Sequence, residues 1–370
     1  RIQFSIVLRK AMLKILTIIG ARPQFIKASV VSKIIMETEK ISEVIVHTGQ
    51  HFDKNMSEVF FDQLCIPRPN YGLDINGRSH GDMTGQMLID IEKVLLQEKP
   101  DRVMVYGDTN STLAGALAAA KLHIPVVHVE AGLRSFNMKM PEEINRVVTD
   151  RMSDILFCPT QTAVNNLDNE GYPFVVTSGG RQRIEKVGDV MQDCAELFAT
   201  RAHAPESFKI DGEFILATIH RAENTDYPER LKKIFSALNE VANTTPVVLP
   251  IHPRTRASIS ELNLDTRKLT LIDPVGYLEM LWLLKHCGLV VTDSGGLQKE
   301  AFFMGKACVT VREQSEWVEL IEVGANELVG VDKIEILNSI SKNMNRIVSD
   351  KKSLFGGGTA AKRIVQTLLT

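Results

Sequence analysis

The chain has 370 residues, of which 44% are hydrophobic and 24% are charged, as in an ordinary globular protein. Its 43 Lys and Arg residues against 45 Asp and Glu residues leave a formal net charge of -2, which argues against nucleic acid or an anionic membrane surface as a partner. No apolar run approaches the ~20 residues of a membrane span. The five cysteines are scattered without CxxC spacing, which predicts reduced thiols, a cytoplasmic protein and no zinc or other metal site.

At roughly 150 residues per domain, this length predicts two domains. We place the first at residues 12–182 and the second at 183–352, because the segment between Gly171 and Arg183 mixes Pro, Gly and charge. Residues 353–370 end in a short helix that we expect to pack back on the first domain. The first eleven residues precede Met12 and look like upstream read-through or an artificial remnant, so they are left out of the fold.

Strands and helices alternate throughout the first half. Apolar strands are predicted at 14–20, 43–51, 101–107, 124–129 and 154–159, with helices at about 28–40, 81–97, 113–120 and 160–170. Such an order is typical of a doubly wound α/β domain with a parallel sheet. The second half repeats the pattern, with strands at 214–220, 246–252, 269–272, 289–292 and 307–311. We therefore expect two facing Rossmann-like domains.

The first strand runs into a Gly20 turn and a helix start that carries Arg22 and Lys27. Helix-end amides beside two cations make an anion site, although the GxxxxGK[ST] pattern of a P-loop is absent. A plain strand-to-helix turn with two solvated cations remains the alternative.

Three acidic residues follow strands or begin a helix between residues 105 and 146. Asp108 and Glu130 come directly after apolar strands, and Glu142 lies in Pro-Glu-Glu at a helix start. Since ligands bind outside the carboxyl ends of parallel strands, we expect these carboxylates to meet and to serve in general acid/base chemistry. Helix capping is the ordinary alternative for Asp108 and Glu142.

The second half carries its own ligand motif. A strand, a Ser294-Gly295-Gly296 turn and a helix offer free N–H groups to a diphosphate, and Glu300 lies about two turns into that helix, placed to accept both hydroxyls of a ribose. A tight turn with a surface glutamate is the alternative. His220 and Arg221 follow another strand and point to the same crevice, while the role of His252 stays open between structural and functional.

Taken together, these residues resemble the non-hydrolysing UDP-N-acetylglucosamine 2-epimerases from about Met12 to the C-terminus. The resemblance is carried by spaced motifs in order: GARPQFIK at 20–27, TGQH at 48–51, GDT at 107–109, HVEAGLRS at 128–135, PEEINR at 141–146, HR at 220–221 and TDSGGLQKEA at 292–301. It implies the two-domain glycosyltransferase-B architecture, usually as a homodimer, with the nucleotide sugar in the interdomain cleft.

The resemblance also implies a reaction at C2 of the sugar. UDP leaves by elimination across C1–C2, a 2-acetamidoglucal forms, and UDP returns after protonation from the opposite face. The matching positions assign acid/base roles to Asp108, Glu130 and Glu142. His220 is the fourth expected catalytic residue, because it would support the departing diphosphate. The positions expected to bind the UDP-sugar are Arg22 and Lys27 at the diphosphate, Ser294, Gly295, Gly296 and Glu300 at the UDP, and Arg134 and Arg221 nearby. Neither a metal nor any other cofactor is required.

Some residues depart from the family pattern. Glu316-Trp317 stands where members specific for UDP-N-acetylglucosamine commonly carry Glu-Arg, and Met280 stands where an aromatic often packs near the uracil. The patterns RxxxEWVEL at 312–320 and GDVMQD at 188–193 look more like relatives that act on 2,3-diacetamido uronic acids or 6-deoxy amino sugars. The sequence therefore predicts epimerisation of UDP-N-acetylglucosamine to UDP-N-acetylmannosamine for surface polysaccharide synthesis, with those modified sugars as the alternative.

Three other functions fit parts of the pattern. A glycosyltransferase would share the architecture but would leave the three acids without a role. A non-catalytic UDP-sugar sensor would need neither the acids nor His220. Hydrolysing relatives, which release UDP and free N-acetylmannosamine, differ only in overall pattern.

Overall fold

The structure is a computed structural model that describes residues 12–50, 61, 67–176, 179–206, 208–350 and 353–370. The chain divides into two compact units, of which the first contains residues up to Cys194 together with Phe355–Thr370, and the second contains Ala195–Leu354. The first eleven residues, His51 of the TGQH motif and Cys65 lie outside the described residues.

The first unit is built on a parallel sheet of seven strands among the described residues, in the order β3-β2-β1-β4-β5-β6-β7. Its strands are β1 (Leu13–Ile19), β2 (Ile41–His47), β3 (Tyr71–Gly72), β4 (Arg102–Tyr106), β5 (Val126–Val129), β6 (Ile155–Cys158) and β7 (Arg183–Lys186). Its helices are α1 (Arg22–Thr38), α2 (His80–Glu98), α3 (Asn110–Lys121), α4 (Pro141–Met152), α5 (Gln161–Asn169) and α6 (Val190–Phe198), which ends in the second unit. The last helix of the chain, Ala360–Leu368, also belongs to this unit.

The central strands are buried on both faces, which explains their continuous apolar sequences. In β4 the residues from Val103 to Tyr106 are buried, and in β5 all residues from Val126 to Val129 are buried. The small residues of α3 let that helix approach the sheet closely, and Ala114, Ala116 and Ala118 are fully buried there. The central strands and α3 therefore form one apolar layer beneath the strand ends.

The second unit repeats this architecture on a parallel sheet of six strands among the described residues, in the order β10-β9-β8-β11-β12-β13. Its strands are β8 (Ile215–Thr218), β9 (Val247–Pro250), β10 (Thr270–Ile272), β11 (Leu289–Thr292), β12 (Cys308–Thr310) and β13 (Asn326–Leu328). Its helices are α7 (Ala222–Thr225), α8 (Pro228–Val241), α9 (Pro253–Glu261), α10 (Tyr277–His286), α11 (Gly295–Phe303), α12 (Val318–Glu322) and α13 (Lys333–Asn343). The last helix of the chain, Ala360–Leu368, is numbered α14 and belongs to the first unit.

Both sheets have a topological switch point. In the first, chain order reverses between the neighbours β1 and β4; in the second, it reverses between β8 and β11. Ligands of doubly wound folds bind outside the carboxyl ends of such strands. The loops at these positions contain Gly20–Arg22 and Gly107–Asp108 in the first unit, and His220–Arg221 and Asp293–Ser294 in the second.

Several sequence-based boundaries need correction. Helix α1 begins at Arg22 rather than Ala28, because Pro23 suits a first helical turn and Gln24 caps the turn before it. The first unit extends past residue 182, because β7 was missed and pairs with β6. Strand β13 was also missed. The C-terminal helix packs against α1 within the first unit.

Two composition-based expectations can be compared with the described residues. The described cysteines, Cys158, Cys194, Cys287 and Cys308, are free and buried. Burial raises the pKa of the Cys287 and Cys308 thiols to about 12, so both remain protonated thiols. Among the described helices, none is long and apolar enough to cross a membrane.

Candidate functional site

Gln24 organises the switch point of the first sheet. Its side-chain oxygen accepts from the N–H groups of Gly20 and Ala21, at 2.8 and 3.0 Å, and its amide donates to the Tyr106 carbonyl at 2.8 Å. A Cβ at Gly20 would lie 2.0 Å from the Thr48 hydroxyl oxygen, so any larger residue would force the surrounding side chains to shift. The loops after β1 and β4 are thereby held together. Gln24 lies in the GARPQFIK motif, but this role was not predicted from the sequence.

Lys27 and Glu130 form an ion pair beside this point. The Lys27 ammonium donates to the Glu130 carboxylate, and their side chains are 11% and 9% exposed. A Cβ at Gly107 would lie 3.3 Å from Glu130 Oε2 and 3.4 Å from Lys27 Nζ, so the pair lies over the turn that leads to Asp108. Arg22, the first residue of α1, is half-buried in the same loop. Glu130 is thus a poorly solvated carboxylate with a cation in contact.

Asp108 is held by helix α4. The Arg146 guanidinium donates to its carboxylate at 2.5 Å, and the Asn145 amide donates to its backbone carbonyl at 2.8 Å. The Asp108 side chain is 31% exposed, whereas that of Arg146 is 11% exposed. Burial lowers the pKa of Arg146, but the carboxylates of Asp108 and Glu143 outweigh this effect and raise it, so the cation is permanent. Asp108 therefore presents an exposed edge while its other edge is fixed.

Neighbouring glutamates of α4 have different environments. Glu142 is exposed on the first turn, and it precedes Asn145 and Arg146 by three and four residues, so it shares the helix face that holds Asp108. Glu143 is buried and accepts from the backbone N–H groups of Ser135 and Phe136 at 2.9 and 2.8 Å and from Arg146 at 2.8 Å. Glu143 is a structural residue that the sequence analysis missed.

Arg134 does not occupy the position expected of a substrate ligand. Its side chain is 1% exposed, and it donates to Asp150 at 2.7 Å, to Glu170 at 2.7 and 2.9 Å and to the Leu133 carbonyl at 2.8 Å. These partners come from α4 and from the residue after α5, and the sequence gave no indication of them. The prediction of substrate binding is corrected: the guanidinium is directed into the first unit.

In the second unit, Asp293 holds the loop after β8. This fully buried carboxylate accepts from the backbone N–H of His220 at 3.0 Å with both oxygens, from the Arg221 N–H at 3.0 Å and from the Asn224 amide at 3.1 Å. The backbone of His220 and Arg221 is thereby fixed at the switch point between β8 and β11. Asp293 was part of a quoted motif, but its positioning role was not predicted.

The His220 imidazole lies among positive charges. Burial lowers its pKa below the ordinary value; Asp293, whose carboxylate lies 3.7 Å away, raises it, and the charges of Arg221, His252 and Arg254 lower it further. The His252 ring, 5.9 Å away between centroids, accepts from the Arg254 N–H through Nδ1 at 3.2 Å and so caps α9. An anion placed beside His220 would favour its protonated form.

The start of α11 presents the predicted glycines. Ser294 is the N-cap and accepts from the Leu297 N–H at 3.4 Å, while a Cβ at Gly296 would meet nothing within 4 Å. Two side chains border Gly295, because a Cβ there would lie 3.2 Å from Glu316 Oε2 and 3.5 Å from Arg221 Nη2. The helix start thus offers backbone donors with an arginine beside them.

Trp317, one of the departures from the family pattern, supports the Ser294–Gly296 turn through a hydrogen bond to Gly295. The residue is 6% exposed, its indole N–H donates to the Gly295 carbonyl at 2.9 Å, and the Lys299 ammonium lies 4.0 Å from its ring centroid. Glu300 is buried on the second turn of α11, and Met280, the other departure, is half-buried on α10. Trp317 is therefore a buried support of the turn at Gly295.

No group of three or more His, Cys, Asp or Glu side chains that could hold a metal ion occurs within the part of the chain that the structure describes. The chemistry that these residues can perform is proton transfer by paired carboxylates at one switch point and anion binding at the other.

Known proteins are similar to this chain in sequence and in fold. The sequence model of the UDP-N-acetylglucosamine 2-epimerase family matches residues 33–369. The UDP-2,3-diacetamido-2,3-dideoxy-D-glucuronate 2-epimerase of Pseudomonas aeruginosa is 62% identical over 96% of this chain and 99% of its own length.

Two solved structures give the same result. The UDP-GlcNAc 2-epimerase of Methanocaldococcus jannaschii, in complex with UDP-GlcNAc and UDP, is 43% identical with a TM-score of 0.84 over 97% of this chain and 99% of the other. The Neisseria meningitidis enzyme bound to UDP-GlcNAc is 31% identical with a TM-score of 0.85 over 96% and 100%. The predicted glycosyltransferase-B-type fold and isomerase class are confirmed, and the chain belongs to the UDP-N-acetylglucosamine 2-epimerase family.

Proposed function

We propose that the protein epimerises C2 of a UDP-linked 2-acetamido sugar by eliminating UDP and adding it back. The observation that carries this proposal is the pair of strand-end carboxylates, Asp108 and Glu130, each in contact with one cation. Inversion at carbon requires a base on one face of C2 and an acid on the other, and two carboxylates in different environments can divide these roles.

The elimination step removes the C2 proton to a carboxylate, forms the C1–C2 double bond and breaks the bond from C1 to the UDP oxygen. Glu130, poorly solvated and paired with Lys27, and the more exposed Asp108 are our candidates for the two faces of C2. Glu142, which shares the helix face that holds Asp108, is the third acid. In the return step a proton is delivered to C2 from the other face, and UDP attacks C1.

The departing diphosphate gains negative charge, which fixed donors and cations stabilise. The α11 start with Ser294, Gly295 and Gly296, together with His220 and Arg221, supplies these groups, and Glu300 is placed for the ribose. We propose Arg22 and Lys27 as the cations of the first unit that serve the same diphosphate.

For the sugar itself, we propose UDP-2,3-diacetamido-2,3-dideoxy-glucuronate as the preferred substrate and UDP-N-acetylglucosamine as the second candidate. The 62% identity to the Pseudomonas aeruginosa enzyme favours the first, against 44% to the Methanocaldococcus jannaschii UDP-N-acetylglucosamine 2-epimerase. Trp317, in place of an arginine common in the second group, supports the same choice. A homodimer that works in the cytoplasm on precursors of surface polysaccharides belongs to this proposal.

The test is proton NMR of each UDP-sugar with the enzyme in D2O. Loss of the C2–H signal together with a second anomeric signal is the expected result, with the larger kcat/KM for the diacetamido uronate. Exchange of UDP-N-acetylglucosamine at an equal or larger kcat/KM would reverse the order of the two sugars.

Two further outcomes would replace the proposed activity. Binding of UDP without exchange of either sugar or of a 6-deoxy amino sugar would favour a UDP-sugar sensor. Accumulation of free UDP would indicate hydrolysis, or glycosyl transfer if the sugar appeared on an added acceptor.

A further inference from the structure

His128, on β5, contacts two hydrogen-bond acceptors. Its Nδ1 lies 2.6 Å from Asp150 Oδ1 and its Nε2 lies 2.7 Å from the Gly107 carbonyl oxygen, and the side chain is fully buried. A carbonyl oxygen has no proton to give, so Nε2 must donate to it. If Asp150 is ionised, Nδ1 must also donate, and the ring is an imidazolium.

The surroundings of Asp150 favour its ionised form. Its second oxygen accepts from the Gly132 N–H at 3.1 Å and from Arg134 at 2.7 Å. Burial raises the pKa of Asp150, but the hydrogen bonds and charges of His128 and Arg134 outweigh burial and hold the pKa below its usual value. Glu170, whose side chain is 32% exposed, lies on the other edge of Arg134, so the buried guanidinium is paired with one buried and one partly exposed carboxylate.

One of the two acceptors of His128, the Gly107 carbonyl, lies in a turn that is connected to both proposed acids. The Gly107 carbonyl belongs to the turn directly before Asp108, and the Gly107 N–H donates to the Val129 carbonyl, directly before Glu130, at 3.0 Å. Glu130 has a φ of 74°, a left-handed conformation that is strained for a glutamate and has to be imposed by its surroundings. His128 is thus the side chain that joins both turns to α4 through Asp150.

We propose that His128, as a buried imidazolium, is a positioning residue that sets the Asp108 turn relative to Glu130 for proton transfer at C2. It acts through Gly107 and does not touch the substrate, and this role rests on the epimerase function proposed above. Small displacements of reacting groups are costly, since about 1 Å can reduce a rate by about 100-fold.

Two substitutions separate the contacts of the ring. The amide nitrogen of His128→Asn coincides with Nδ1 and keeps the bond to Asp150, whereas that of His128→Gln coincides with Nε2 and keeps the bond to Gly107. We expect His128→Asn to lower kcat for C2–H exchange by about 100-fold with KM unchanged. We expect His128→Gln to keep most of kcat although it is the less stable variant, because it leaves Asp150 without one donor.

A purely structural role would give the opposite pattern. Loss of activity in both variants in proportion to their loss of thermal stability would overturn the positioning role. So would a rise in KM without a fall in kcat, because this would place His128 in substrate binding.

A second measurement does not depend on turnover. In protein labelled with 15N-histidine, His128 should give two protonated ring nitrogens at neutral pH, and this pair should vanish in His128→Asn. Amide hydrogen exchange of the peptide 103–112 should rise in His128→Asn and not in His128→Gln. A neutral ring, or equal exchange in both variants, would overturn the inference; a wild-type enzyme inactive on every sugar would instead overturn the proposed function.

Discussion

Each unit places an acidic residue directly after a central strand, but the two units hold it differently. Asp108 and Glu130 of the first unit are paired with the side chains of Arg146 and Lys27 and keep some exposure. Asp293 of the second unit is fully buried and accepts three hydrogen bonds from the backbone N–H groups of His220 and Arg221 and one from the Asn224 amide. The position that we propose for proton chemistry in the first unit thus fixes a loop in the second.

The largest effect is expected at Glu130. Glu130→Gln keeps the shape of the side chain but removes its basicity, so exchange at C2 should fall by about 10²–10⁴-fold, the usual contribution of a general acid or base. UDP affinity, measured by calorimetry, should change little. Glu229→Gln, an exposed position of the second unit, is the control. Exchange at the wild-type rate would remove Glu130 from the acid/base set.

Substitution of Arg134 tests whether this guanidinium binds substrate or stabilises the fold of the first unit. Arg134→Met leaves the two carboxylates of Asp150 and Glu170 with one cation fewer. Because losing one partner of a buried ion pair is strongly destabilising, the free energy of unfolding should fall by about 3–5 kcal/mol. UDP affinity of the folded fraction should be unchanged. Urea unfolding and calorimetry measure these two quantities, and a large loss of affinity at unchanged stability would restore Arg134 to the substrate site.

His220 gives the second unit a dependence on pH. Because its pKa is lowered in the folded protein, its contribution to stability is complete above the unfolded value of about 6.5 and is lost as pH falls through the folded value. Diphosphate beside the ring should raise the pKa, so UDP binding near pH 6 should take up protons. Calorimetry in two buffers of different ionisation enthalpy measures this uptake, and His220→Asn should abolish it. Equal uptake in the variant would assign the proton to another group.

The smallest effect is expected at Trp317. Trp317→Phe keeps an aromatic ring under Lys299 but loses the N–H that donates to Gly295. A hydrogen bond contributes about 0.5–1.5 kcal/mol, so UDP affinity should fall by up to about tenfold. The C2 exchange of bound substrate should not change. Unaltered UDP affinity would show that the turn does not need this support.

The sequence was sufficient for residues whose position depends on the strand ends alone. Asp108, Glu130, His220 and the glycines of α11 follow apolar strands directly, so the parallel topology fixes their location. The partners of Arg134 could not be predicted, because Asp150 and Glu170 are brought to it by two helices. Glu143 was missed because successive helix residues differ by about 100° in direction, and only the true start of α4 separates a buried glutamate from an exposed one.

The first unit contains residues from both ends of the described chain, since α14 packs against α1 and the N–H groups of Ala360 and Ala361 donate to Asp193 at 3.1 and 2.9 Å. During synthesis on the ribosome, every residue of the second unit is therefore made before the first unit can be completed. Domains fold as units as they emerge. The α1 face of the first unit therefore stays uncovered until the residues of α14 have left the exit tunnel.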